Sequence, residues 1–299
     1  MADDVASRPE PARGVTSGSR AGPTMRASVI RGLRRNPIGA LGLLIVLTLL
    51  ILAIGAPVLA PFPPNADAGV PLQAPGGPYV MGTDEFGRDV LSRIIFGSRI
   101  SLYVGFVSTS IALLLGASLG LLAGFRGGWF DAITMRVMDV IFAFPSIVLA
   151  IAITGLLGPS LTNAMIAIGI VYVPQFARVA RGPTLSVVEH EYVQAARVIG
   201  AGELRIIARH VLPNVLAPIL VQVTLSLSTA ILAEGTLSFL GLGTQPPDPS
   251  WGTMLSTGRK FMETAPWVAV YPGLAIMLAV LGFNLAGDGL RDVLDPELN

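Results

Sequence analysis

Six apolar runs, each about as long as a bilayer crossing requires, succeed one another between Ile38 and Leu285. They cover about Ile38–Ala60, Ile100–Ala123, Val137–Leu157, Leu161–Ala180, the stretch from Pro213 to Leu240, and Val268–Leu285. With a mean hydropathy of +0.68 and only 13% charged residues, the 299-residue chain lies outside the soluble range. Backbone groups in lipid must be paired within their own segment, so runs of this length read as helices. The predicted fold class is therefore an all-α polytopic membrane protein with six transmembrane helices. The first run exceeds the roughly 7–15 residues of a signal peptide's apolar region and follows a hydrophilic stretch, so it reads as a retained span.

The net charge of +1 conceals an asymmetry that appears once charges are sorted by membrane side. Six crossings put both termini on one side. That side carries 15 Lys and Arg, seven of them ahead of the first run and five between the fourth and fifth, against five on the other. The bias places the termini in the cytoplasm and implies nothing about nucleic acid; the surrounding partner is the lipid bilayer. Cysteine is absent, which excludes disulfides and thiolate chemistry, and Lys260 is the single lysine.

Along the chain, residues 1–25 read as a disordered cytoplasmic tail, poor in anything to bury. Residues 26–97 hold the first span behind Arg26, Arg31, Arg34 and Arg35, then a Pro- and Gly-rich extracytoplasmic linker and a short interfacial helix. Residues 98–299 form a five-span core. In the interfacial helix, Val90, Leu91, Ile94 and Ile95 make an apolar face opposite Arg88, Asp89, Ser92 and Arg93, with Asp89 in helical register to pair with Arg93. Gly124–Asp131 reads as a short turn. Asp139, at the start of span three, can pair with Arg136 one turn earlier, and Pro218 is expected to kink span five. After Gln245–Pro249, Ser250 is a candidate helix cap that would carry Trp251, Met254, Leu255 and Phe261 inward. Trp251, Trp267 and Tyr271 suit a membrane–water boundary.

The polar interval Glu189–Pro213 is the most informative. As helix, its first half aligns Tyr192, Val193, Ala196 and Ile199 on one stripe. Gly200, Ala201 and Gly202 interrupt it, and a second stripe follows at Leu204, Ile207, Ala208 and Val211 before Pro213. The expectation is a helix-turn-helix set between two spans.

Ala195-Ala196, Gly200, His210 and Leu212-Pro213 stand at the spacing of the EAA loop, and this interval resembles that cytoplasmic element of ATP-binding-cassette importer permeases. The loop's usual leading Glu is Gln194 here. Two further stretches are similar to the dipeptide/oligopeptide/nickel branch, in particular its C-type subunit. One is the run GTD-x-x-GRD-x-x-SR, at Gly82, Thr83, Asp84, Gly87, Arg88, Asp89, Ser92 and Arg93, whose chemistry reads as structural. The other is LSFLGLGTQPPDPSWG at Leu237–Gly252.

The resemblance implies the six-span type I importer permease fold in a prokaryotic plasma membrane. It also implies a coupling loop, carried by Tyr192, Val193, Gln194, Ala195, Ala196, Ile199, Gly200, His210, Leu212 and Pro213, that docks on an ATPase. The implied partners are a homologous B-type permease, two ATPase subunits or one fused pair, and an extracytoplasmic peptide-binding protein; di- and oligopeptides are the implied cargo. ATP and Mg would be held by the ATPases, with no cofactor in this chain.

The residues agree that nucleotide chemistry lies elsewhere. No G-x-x-x-x-G-K-[ST] occurs, so the chain lacks that phosphate cradle. The two histidines lie 20 positions apart without a metal-ligand pattern. Inside the spans, Gln222, Ser226 and Thr229 share one face of span five and are candidates for a hydrophilic path, or equally for helix packing. Glu234, a carboxylate in an apolar stretch toward the outer end, is a functional candidate by default. Two other readings stay open: a permease for nickel or another small solute, and an ion-coupled secondary transporter using Asp139 and Glu234.

Overall fold

The computed structural model describes residues 36–67 and 69–294, so the tail expected at 1–25 lies outside the described residues. Nine α-helices account for most of them: α1 Pro37–Leu59, α2 Val90–Arg126, α3 Gly128–Phe142, α4 Ser146–Leu157, α5 Leu161–Val188, α6 Glu191–Val198, α7 Glu203–Phe239, α8 Trp251–Gly258 and α9 Trp267–Leu294. Five helices, α1, α2, α5, α7 and α9, are each long and apolar enough to cross a membrane, and α3 with α4 makes a sixth crossing.

The third crossing departs from the unbroken span expected at Val137–Leu157. Helix α3 ends at Phe142, α4 begins at Ser146, and the two axes meet at 87°. Pro145 supplies the cause: its ring disfavours helical backbone at Phe144, and it has no amide proton to continue the ladder. The turn expected over Gly124–Asp131 shrinks to Gly127, because α2 continues to Arg126 and α3 starts at Gly128. Asp139 pairs with Arg178 of α5 at 2.7 Å, not with Arg136, while Asp131 receives two bonds from Arg181. Two ion pairs thus tie α3 to α5.

Helix α2 also differs from expectation. A separate interfacial helix does not form; Val90 opens a single 37-residue helix that continues through the second span, so position 97/98 falls inside it. Both faces near its start are covered, since Val90, Ser92, Arg93 and Ile95 are all buried. Asp89 caps the helix by accepting from the Ser92 amide at 2.8 Å, and Arg93 turns to Asp84, Pro64 and Asn65 instead of Asp89.

Close backbone approach sets the helix order. On α2, Gly116 and Gly120 face α5 so tightly that an added Cβ would lie 2.4 Å from the Val173 carbonyl oxygen and 2.1 Å from that of Ala177. With Gly124 they form a small-residue stripe at four-residue spacing, which brings α2 and α5 together in parallel. Helices α1 and α9 run antiparallel. Gly39 meets Gly289, and Asn36 Nδ2 donates to Asp292 Oδ2 at 2.5 Å, so the first and last described helix ends lie on one side. Helix α7 is antiparallel to both α2 and α9, with Ser101 beside Glu234 and Ser228 beside Asn284. The ends near residues 36, 126, 188, 203 and 294 consequently share one side, and the connections 60–89, 158–160 and 240–266 share the other.

The last helices are longer than their apolar runs. Helix α5 continues to Val188 and α9 to Leu294, well past Ala180 and Leu285. Pro218 is accommodated within α7. Ser250 does cap α8, with its hydroxyl accepting from the Thr253 amide at 3.2 Å and the Thr253 hydroxyl accepting in return from the Ser250 amide at 3.1 Å. Trp251 and Met254 are buried, whereas Leu255 and Phe261 are half-buried. Trp251 is a core residue, not a boundary one: fully covered, it donates from Nε1 to the Ile94 carbonyl at 3.0 Å.

Candidate functional site

The interval between α5 and α7 forms the expected two-helix element, but its inward faces differ from the stripes read in the sequence. In α6, Val193 and Ala196 are buried against Leu121 and Phe125 of α2, Val187 of α5, and Ile206 and Val211 of α7. Tyr192, Gln194, Ala195, Ile199 and Gly200 face outward. In the second half, Ile206, Val211 and Val215 point inward in place of Leu204 and Ala208. The apolar side chains left outside are Val198, Ile199 and Leu204, at 86%, 83% and 78% exposure, and they bracket the turn. Gly200 closes α6 with φ of +80°, a left-handed conformation that suits glycine.

Three contacts hold this element on the body of the chain. Arg126, at the end of α2, donates to Glu203 at 2.9 Å; the Arg197 guanidinium lies over the Phe125 ring at 4.8 Å; and Gln194 Nε2 donates to the Val188 carbonyl at 2.9 Å. Tyr192 sits between His190 and His210, with ring centroids 5.5 and 6.2 Å away. The helix expected to stop before Pro213 instead continues into the membrane. Its residues Ile207–Val211 widen into a π turn in which the Leu212 amide reaches the Ile207 carbonyl, and Pro213 follows without a break. The second half of the surface element is thus continuous with span five.

On the opposite side, the signature residues build a folded loop over the start of α2. Asp84 accepts from the amides of Phe86 and Arg88, at 2.9 and 3.0 Å, and from Arg88 Nε at 2.7 Å, with Arg93 Nε 3.4 Å away. Thr83 Oγ1 donates to the Val70 carbonyl at 2.6 Å and accepts from the Gln73 amide at 2.8 Å. Gly82 and Gly87 pack where a Cβ would strike Gln73 and Gly69 carbonyls. Burial pushes the Glu85 carboxyl above its ordinary value, as the lowering effects of its backbone hydrogen bond and of Arg88 are outweighed. A cavity of about 320 Å³ opens beside this loop, bounded by Phe86, Pro247, Met254 and Lys260.

Within the membrane, Glu234 is neither unpaired nor near water. It is 1% exposed and accepts from Ser238 at 2.7 Å, Ser101 at 3.1 Å and Thr244 at 3.4 Å. Those donors come from α7 itself, from α2, and from the loop after α7. Asp139, for its part, is matched by Arg178. Glu234 is thus enclosed, and Asp139, though exposed, is ion-paired. Ser226 is buried and accepts from Gln222 at 3.0 Å, whereas Thr229 lies on the open face.

Two features went unread in the sequence. The Arg126, Glu203, Arg197 and Phe125 clip has no local signal, because its members lie up to 78 positions apart. Gln175 had one: an amide inside an apolar run, it accepts from Gln222 Nε2 at 3.3 Å.

Known proteins agree with this architecture. Residues 116–299 match the family described as binding-protein-dependent transport system inner membrane component, and residues 24–75 match the N-terminal transmembrane domain of oligopeptide transport permease C. The chain is similar to a dipeptide transport system permease, DppC, of Alkalihalophilus pseudofirmus, 49% identical with 89% of this chain and 88% of that one covered. It is likewise similar to a di/tripeptide transport system permease of Pseudomonas aeruginosa, 49% identical over 87% and 88%. An inward-facing structure of the MetNI methionine ABC transporter shares the fold at a TM-score of 0.55 and 19% identity, covering 68% of this chain and 96% of its own. By the extent of these matches, this multi-pass chain belongs to the binding-protein-dependent transport system inner membrane components, the permeases of ABC importers.

Proposed function

We propose that the chain is one of two homologous permeases that together form the translocation path of an ATP-driven importer of di- and oligopeptides. The observation that carries the reading is the surface element between α5 and α7, where Val198, Ile199 and Leu204 stand exposed on a framework continuous with span five. Exposed apolar side chains at the tip of a projection suit a docking surface. In this reading they engage an ATPase subunit, whose closure on ATP moves α7 and switches the open side of the path. The excess of arginine on that side supports a cytoplasmic location for the element and for both ends. A second permease, a pair of ATPase units and an extracytoplasmic binding protein complete the assembly. Peptide cargo is favoured because similar proteins carry dipeptide and di/tripeptide names.

The test is uptake by cells expressing the whole importer, offered labelled dipeptides, tripeptides and nickel. Peptide uptake that stops when the ATPase partner loses its phosphate-binding lysine is the expected result. Accumulation of nickel without peptide would assign a different cargo, and uptake independent of the ATPase would overturn the mechanism.

A further inference from the structure

The open face of α7 carries Gln222, Leu225, Thr229, Leu232 and Thr236, spaced three and four apart. Its two threonines turn their hydroxyls onto their own helix: Thr229 donates to the carbonyls of Leu225 or Ser226, and Thr236 to that of Leu232. Gln222 behaves otherwise. Its Nε2 donates to Gln175 Oε1 on α5 at 3.3 Å and to Ser226 Oγ at 3.0 Å, which occupies both of its amide protons. Among the described residues, Gln222 Oε1 accepts no hydrogen bond and Gln175 Nε2 donates none. Two half-buried amides within apolar spans therefore leave an acceptor and two donors open beside each other.

Lipid cannot satisfy such groups, and leaving them dry would be costly. Water, a polar solute or a polar group of the second permease must meet them. The arrangement is also uncharged: Arg178, one turn further along α5, has its charge met by Asp139. In an extended peptide the N–H and C=O of one residue point to the same side, which is how antiparallel strands exchange paired hydrogen bonds. An amide acceptor beside an amide donor matches that pattern without reading the side chain.

We propose that Gln175 and Gln222 form a neutral hydrogen-bonding station on the translocation path, which engages the backbone of a passing peptide and is indifferent to side-chain charge. The proposal rests on the peptide-import reading above. Its consequence is that a carboxylate installed there creates charge selection where none existed, repelling acidic peptides and retaining basic ones.

The experiment measures uptake of Ala-Ala-Ala, Ala-Asp-Ala and Ala-Lys-Ala, whose middle residue carries both an amide N–H and an amide C=O, by cells carrying the complete importer with the wild-type chain, Gln222→Glu or Gln175→Glu, normalised to membrane abundance. The wild type is expected to take up all three at rates within about threefold. Whatever the change in the absolute rate for Ala-Ala-Ala, in each variant Ala-Asp-Ala uptake should fall at least about tenfold relative to Ala-Lys-Ala. Because the two substitutions sit on different helices, loss of one variant from the membrane leaves the other to decide. Equal effects on all three peptides in the variant that reaches the membrane would overturn the station. Wild-type cells that take up no peptide at all would overturn the import reading, and the station with it.

Discussion

Ser101 on α2 donates a 3.1 Å hydrogen bond to Glu234 on α7, across 133 positions of sequence, in a spot where Glu234 is almost completely covered. Ser238 and Thr244 complete the set from the same helix and from the loop that leads to α8. The carboxylate joins three parts of the chain at the end of the bundle that carries the 240–266 connection.

Glu234→Ala should accordingly destabilise the folded chain, by about 2–3 kcal/mol, since three buried hydroxyls lose their acceptor. Glu234→Gln keeps an acceptor and should cost about half as much. Thermal unfolding of the detergent-solubilised importer reads both. Unchanged stability with abolished uptake would make Glu234 a path residue instead.

The signature loop makes a comparable demand. Asp84 faces Arg88 and Arg93, both largely covered, and removing it leaves two like charges beside each other. Asp84→Ala is expected to cost about 3–5 kcal/mol and to lower the amount of chain in the membrane severely. Arg88→Ala should be milder, because Arg93 remains opposite Asp84. Equal abundance of the two variants would contradict the network.

The α2 and α5 contact gives a third test. An added side chain at Gly120 would run into the Ala177 backbone, which cannot yield as a side-chain tip can. Gly120→Val should destabilise by at least about 3 kcal/mol, whereas Gly182→Ala, in open space within helix α5, should stabilise by about 0.5–1 kcal/mol. Comparable melting of the two variants would rule out the close approach.

Orientation is checked with single cysteines, which the natural chain lacks. Val80 is well exposed on the side of the linker, and Arg197 on that of the surface element, whereas Asp84 is too buried to label. In intact cells an impermeant thiol reagent should modify Val80→Cys and spare Arg197→Cys. The reverse pattern would invert the proposed topology.

How far the sequence could be read follows from what each signal measures. Hydropathy located α1, α2, α5, α7 and α9, because a bilayer rewards length of apolar run. It overlooked the bend between α3 and α4, since an apolar run has the same hydropathy straight or folded at Pro145. It also stopped α5 and α9 too early, at the first polar residues, although a helix needs no apolar face once it leaves lipid. The pairing of Asp139 with Arg178 was illegible for another reason: local spacing offered Arg136, and only the antiparallel packing of α3 against α5, which also pairs Asp131 with Arg181, brings Arg178 nearer. In the surface element, periodicity correctly gave two helices, but an eight-residue helix with apolar groups on more than one side does not reveal which set is inside.

That ambiguity bears on the last prediction. Ala196 packs inside the chain, near Phe125 and Ile206, so a charge there would disturb the element itself and not just its grip on a partner. Ile199 and Val198 offer a cleaner test, because both are exposed and neither supports the fold. Burying a new carboxylate in a partner's apolar pocket without a counter-charge is strongly unfavourable, and the exposed apolar area at that position is lost as well. Ile199→Asp should therefore leave thermal stability within about 0.5 kcal/mol of wild type while weakening ATPase binding about a hundredfold. Ala196→Asp should lower stability first and ATPase retention as a result. Co-purification of the ATPases and peptide-stimulated hydrolysis, measured beside the melting curve, separate the two. If Ile199→Asp retains its ATPases and transports normally, the exposed tip is not the docking surface, and force must enter the permease elsewhere.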